Sequence, residues 1–224
     1  LVTAFSKDIA DQHPSDQAYW ASHTTTPSGG ICREMSQTLT ACDPPDSLGV
    51  IELVSETLDV LRLASESAFG RASHSGQSIS EKELDRLSVG PLTGRVPELC
   101  PLAQLLFAWV VDRMQKGAIR SAIGTRVAID GDWGQIRLLQ ALLEAEGVSE
   151  DDARQTTASL HGLNKLRVAA AHSLVADIRT AFELFGQTEV PSSTRAAWDI
   201  CVDAVVASIK SISDILKEPD ATPT

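Results

Sequence analysis

Trp198, Cys201, Val202, Val205, Ile209, Ile212 and Leu216 recur at spacings of three and four near the end of the chain. That is the repeat of one helix face. A stripe of this length has to be covered by other elements, because an isolated amphipathic helix is marginal in water. Aromatic residues make up only 4% of the 224 residues, so the covering core must come from Leu, Ile, Val and Ala. Such a composition favours helices over a β-sandwich.

Other helices follow from the same period and from end signals. Asp46 after Pro44-Pro45 reads as the N-cap of a long helix to about Phe69, with Ile51, Val54, Leu58, Leu61 and Ala68 on its apolar face. Residues 70–78 read as a polar loop with a solvated His74. Ser80 and Glu83 form a capping box before Leu84 and Leu87, and Gly90-Pro91 ends that short helix. Residues 102–111, bounded by Pro101 and by Asp112-Arg113, are apolar nearly all round and read as a central buried helix. Residues 119–129 carry a weaker signal, for a loop or a small hairpin around Gly124. Trp133 sits at the following turn, as an aromatic lid on the core or as a stacking platform for a base. Ile136, Leu139, Leu142 and Leu143 mark a helix stopped at Gly147. Ser149 and Asp152 cap a long helix to about Phe185, with a break expected at Gly162 and a stop at Gly186. Pro191-Ser192-Ser193 opens the last helix. These elements predict an all-α antiparallel bundle of four to five main helices over residues 46–217. Residues 1–45, with a short apolar anchor of Phe5, Ile9, Tyr19 and Trp20, read as a connector or docking segment from an upstream domain. Residues 218–224 read as a disordered tail.

The chemistry-bearing residues concentrate in 160–172, where His161, Asn164, Lys165, Arg167 and His172 fall on one helix. Leu163, Leu166, Ala170, Leu174, Ile178, Ala181 and Phe185 make an apolar stripe, and Arg167 falls close to its centre. A buried, unpaired arginine is costly. So the helix bends near Gly162, or Arg167 meets a carboxylate, or the stripe faces a groove. His161, Lys165, Val168, His172 and Arg179 gather on the opposite side, which makes that side the candidate dimer seam or ligand groove.

Arg167 and His172 form an R-x4-H arrangement behind an L-x2-LR approach. The arrangement resembles the signature of the HEPN superfamily, all-helical domains of which many members are metal-independent endoribonucleases acting as dimers. The resemblance implies Arg167 and His172 as catalytic residues, Asn164, His161 and Lys165 as binding or orienting residues, RNA as substrate, and no metal or cofactor. It also implies a homodimer, and an effector of the toxin or phage-defence type fused to or encoded beside a sensor. Val168 stands where active members usually carry a polar residue. On that account the alternative is a non-catalytic helical dimerisation or interaction module of a larger protein.

The formal net charge of −11 argues against a protein that coats nucleic acid nonspecifically. It leaves room for a small basic groove, and Arg113, Lys116, Arg120, Arg126 and Arg137 lie close together in sequence. Cys32, Cys42, Cys100 and Cys201 lack zinc-ligand spacing. With no membrane-length apolar run and no signal peptide in evidence, a cytoplasmic location is expected. The chain also lacks a G-x-S-x-G elbow, H-E-x-x-H, a Walker sequence and G-x-G-x-x-G.

Overall fold

The chain divides into two compact units, Leu1–Ser47 and Leu48–Thr224. The structure, a computed structural model, describes residues 49–92, 98–172 and 175–217, with positions 13, 14 and 17. Outside these residues lie the rest of the expected connector, the cap at Asp46, Cys32, Cys42, Leu174 and the tail. The described part of the second unit is helical: α1 (Val50–Phe69), α2 (Glu81–Val89), α3 (Leu99–Val110), α4 (Lys116–Ile123), α5 (Gln135–Ala145), α6 (Glu150–Thr156), α7 (Ala158–His172), α8 (Val175–Leu184) and α9 (Thr194–Lys217). The only extended pairing among the described residues is a single bridge between His74 and Met114. Among the described residues, no helix is long and apolar enough to cross a membrane.

The expected all-α bundle is therefore what the chain forms, and the stripe on α9 accounts for much of its core. All seven of the stripe residues are buried, and α9 packs along α1, where Val54, Leu58 and Leu61 are buried in turn. Each such aliphatic side chain, fully covered, stabilises the fold by roughly 1.5–3 kcal/mol. α7 lies against α3, α8 and α9 and buries Leu160, Leu163, Leu166 and Ala169.

Local chemistry sets the helix ends. The Ser80–Glu83 capping box forms, and its two bonds to Ser80 hold the Glu83 carboxyl below the usual range. Ser149 accepts from the Asp152 backbone N–H at 3.2 Å and opens α6. Gly90, Gly147 and Gly186 follow helices with positive φ. α1 begins at Val50, with Gly49 as its N-cap.

Four expectations are corrected. Ala68 is exposed at the end of α1. Residues 116–123 form α4 rather than a loop or hairpin, because Ile119 and Ile123, four apart, are both buried and Gly124 closes the turn at φ 59°. The stretch after Ser149 is three helices, with a break at Thr157 between α6 and α7 and with α8 starting at Val175, and α7 runs unbroken through Gly162. At the break the Thr156 carbonyl loses its helical partner and accepts instead from the Ser208 hydroxyl of α9. Finally, His74 is buried at 1% exposure rather than solvated. Its Nε2 lies 3.0 Å from the Trp109 carbonyl, and its Nδ1 accepts from the Gly76 N–H at 3.1 Å, so the neutral ring carries its proton on Nε2.

Two outcomes follow. A Cβ on Gly162 would lie 2.7 Å from Phe185 Cε1 and 2.9 Å from the Ala181 carbonyl oxygen. Gly→Ala in an open helix stabilises by about 1 kcal/mol. Here the overlap with backbone reverses the sign, and Gly162→Ala is expected to cost about 1–3 kcal/mol in a urea titration. Burial pushes His74 below its ordinary value of 6.5, against the opposing Trp109 bond. The unfolded chain thus takes up a proton more readily, so this contribution is full above the ordinary value and is lost as pH falls below it. The urea midpoint should fall between about pH 7 and about pH 5, and His74→Gln should reduce that slope.

Candidate functional site

α7 turns its buried leucines to the core and carries His161, Asn164 and Arg167 along the adjoining edge. Positions three apart on a helix step by about 60°, so these side chains fan across one sector. They line an open cleft of about 290 Å³, whose other wall includes Phe107 and Asp112 at the end of α3 and Arg137 on α5.

Arg167 sits at the border of the core rather than in its middle. Its Cζ lies 4.0 Å from the centroid of the Phe107 ring, and its Nη1 is 4.0 Å from Asp112 Oδ2. The side chain is 36% exposed. Two of the three expected escapes for this arginine thus occur together, a nearby carboxylate and a groove, and the bend at Gly162 does not. An exposed pair at that separation holds the guanidinium weakly, so it remains open to a ligand anion.

A second arginine reaches the cleft through a polar chain. Arg137 Nη1 donates to Gln140 Oε1 at 3.0 Å, while its guanidinium lies 4.8 Å from the centre of the Trp133 ring. Trp133 packs against the core, so the lid reading holds and its ring already carries a cation. Gln140 Nε2 donates to Thr157 Oγ1 at 2.9 Å and lies 3.2 Å from His161 Nε2. Burial pushes the His161 imidazole below its ordinary range, and the Arg137 charge adds to the effect. Asn164 contributes a buried Oδ1 with no hydrogen-bond partner.

The structure therefore brings together His161, Asn164 and Arg167 and leaves Lys165 apart. Lys165 points from the exposed side of α7 to Asp177 of α8 at 3.5 Å. Arg179 pairs with Glu183 at 3.1 Å, and Val168 is 38% exposed. The side grouping Lys165, Val168 and Arg179 is thus not the cleft. The imidazole of His172 lies outside the described residues. Phe107, Asp112 and Gln140 carry no site signal in the sequence, and of the basic stretch proposed for a groove Arg137 is the member that lines this cleft; nothing in their spacing ties them to α7. Two members of the basic stretch serve the fold. Arg126 holds the carbonyls of Ala122 and Ala145 at 2.7 and 2.8 Å, and Arg120 holds that of Gly131 at 2.8 Å.

Two guanidinium groups and an imidazole around one small cleft, with a single carboxylate at its rim, suit an anionic group such as a phosphate. No protein-family model, curated protein or solved structure matches the chain.

If Arg167 serves the cleft, its removal should barely affect folding. A surface cation–π contact and a long exposed ion pair are together worth about 1 kcal/mol. Arg167→Ala is expected to stay within about that margin of wild type in a urea titration, and a loss of several kcal/mol would make Arg167 a structural residue.

Proposed function

We propose that the chain is a HEPN-like helical domain acting as a metal-independent endoribonuclease in the cytoplasm, as an effector of the toxin or phage-defence type. The observation that carries this reading is the placement of Arg167, half-exposed in a cleft it shares with Asn164 and His161 instead of sealed in the core. RNA cleavage without a metal needs a base for the ribose 2′-hydroxyl, a cation for the phosphorane and an acid for the leaving oxygen. Arg167 supplies the cation. In this proposal His172 transfers protons, and a second copy in a homodimer supplies the complementary acid or base.

A second reading is a non-catalytic interaction module, favoured by Val168, an apolar side chain 38% exposed beside Arg167. On this reading the same surface docks another protein or another copy.

Purified protein incubated with RNA decides between them. Ribonuclease activity that falls by at least about 100-fold in both His172→Ala and Arg167→Ala is the expected result. Cleavage unchanged in His172→Ala would end the nuclease proposal. Absence of cleavage in wild type, with self-association weakened by Val168→Asp in light scattering, would favour the module.

A further inference from the structure

Gln140 is only 4% exposed, and its amide has one way to lie. Its Oε1 faces Arg137, which has donors and no acceptor. The NH2 end must therefore face Thr157 and His161. Thr157 directs its own hydroxyl proton to the Ala153 carbonyl at 3.0 Å, so its oxygen is left to accept from Gln140. An amide nitrogen carries two protons and accepts nothing. His161 Nε2, 3.2 Å away, is thus an acceptor, and the neutral ring has its proton on Nδ1. Nδ1 makes no hydrogen bond among the described residues and is not one of the buried unpaired atoms. The ring lines the cleft, so this N–H opens to it.

We infer that Arg137 and Gln140 are positioning residues that hold His161 as a neutral Nδ1–H donor, and that this N–H binds a phosphoryl oxygen of the ligand seated beside Arg167. The identity of that ligand as RNA rests on the ribonuclease reading; the proton's position does not. The charged groups around the cleft are Arg137 from α5, Arg167 from α7 and Asp112 beyond α3. His161 then contributes to binding, and proton transfer falls to other groups. The arrangement repeats a common device in which the partner of one ring nitrogen decides what the other presents.

The test uses the full chain labelled with 15N, and two-bond proton–nitrogen spectra of the imidazoles at neutral pH. His161 should give the Nδ1–H pattern. His74, whose Nε2 faces the Trp109 carbonyl, should give the opposite pattern and serves as internal control. Gln140→Glu offers an acceptor in place of the N–H and should move the His161 proton to Nε2. An Nε2–H pattern at His161 in wild type overturns the inference, whether or not that variant folds. Binding is read with a 2′-O-methyl oligoribonucleotide, which resists cleavage. His161→Ala should weaken its Kd about tenfold, and His161→Asn, with an amide N–H near the Nδ1 position, should restore most of the loss. Affinity unchanged in His161→Ala removes the ligand contact. A wild type with the Nδ1–H pattern that binds no oligonucleotide overturns the RNA reading and leaves the positioning role in place.

Discussion

A helix that covers a core with one face and offers polar groups along its edge must be held at a fixed rotation. α7 is held by close approach to α8 at Gly162, where a methyl group would already overlap the Ala181 carbonyl. A roll of one residue, about 100°, would carry His161 or Arg167 into the apolar interface. Gly162 lies in the first half of α7 and meets the last turn of α8, so the two helices form an antiparallel hairpin. The Lys165–Asp177 pair spans its outer side at 3.5 Å. That exposed pair contributes little energy. The leucines at 160, 163 and 166 supply the stability, and the glycine sets the angle at which they are spent on α3 and α9 rather than on solvent.

The break at Thr157 belongs to the same design. Continuing α6 into α7 would remove the turn that aims the Thr157 hydroxyl at Gln140. A buried amide left unpaired costs about 1–3 kcal/mol per group, and Gln140 avoids that with partners on α5, at the α6–α7 junction and on α7. The Thr156 carbonyl released by the break is taken by Ser208 of α9. Three helices and a ring tautomer are thereby tied to one side chain, which is why the cleft wall and the helix packing cannot be varied independently.

Much of the fold was legible because it rests on local rules. The α9 stripe, the Ser80 and Ser149 caps and the glycine stops after α2, α5 and α8 are written within a few residues of where they act. His74 was not legible, since its polar neighbours in sequence describe a loop, while its partner, Trp109, comes from another helix. Residues 116–123 carry few apolar positions, and only the pair Ile119 and Ile123 marks the buried side of α4. Tracing the stripe from Leu163 to Phe185 as one helix puts Arg167 near its middle, whereas α7 and α8 are separate helices that pack on each other. The described buried apolar side chains of α7 are Leu160, Leu163, Leu166 and Ala169, and Arg167 falls at their border. The residues of the cleft were half visible, because His161, Asn164 and Arg167 share a helix, while Phe107, Asp112, Arg137 and Gln140 come from elements joined only by folding.

The net charge of −11 and an anion-accepting cleft are compatible on physical grounds. At physiological salt the screening length is about 8 Å, so carboxylates beyond that distance scarcely alter the field felt by a bound phosphate. Glu150 and Asp151 are moreover matched by Arg154 at 2.8 and 3.3 Å. Asp112 is the carboxylate that lines the cleft, and it competes for Arg167 from 4.0 Å in a half-exposed setting. A ligand that displaces it forgoes at most about 1 kcal/mol. A phosphate held bidentately by the guanidinium gains shorter, charge-assisted bonds than that long pair supplies. The weak tie to Asp112 keeps the guanidinium soluble at the rim of the core without committing it, and the Phe107 ring beneath fixes its plane.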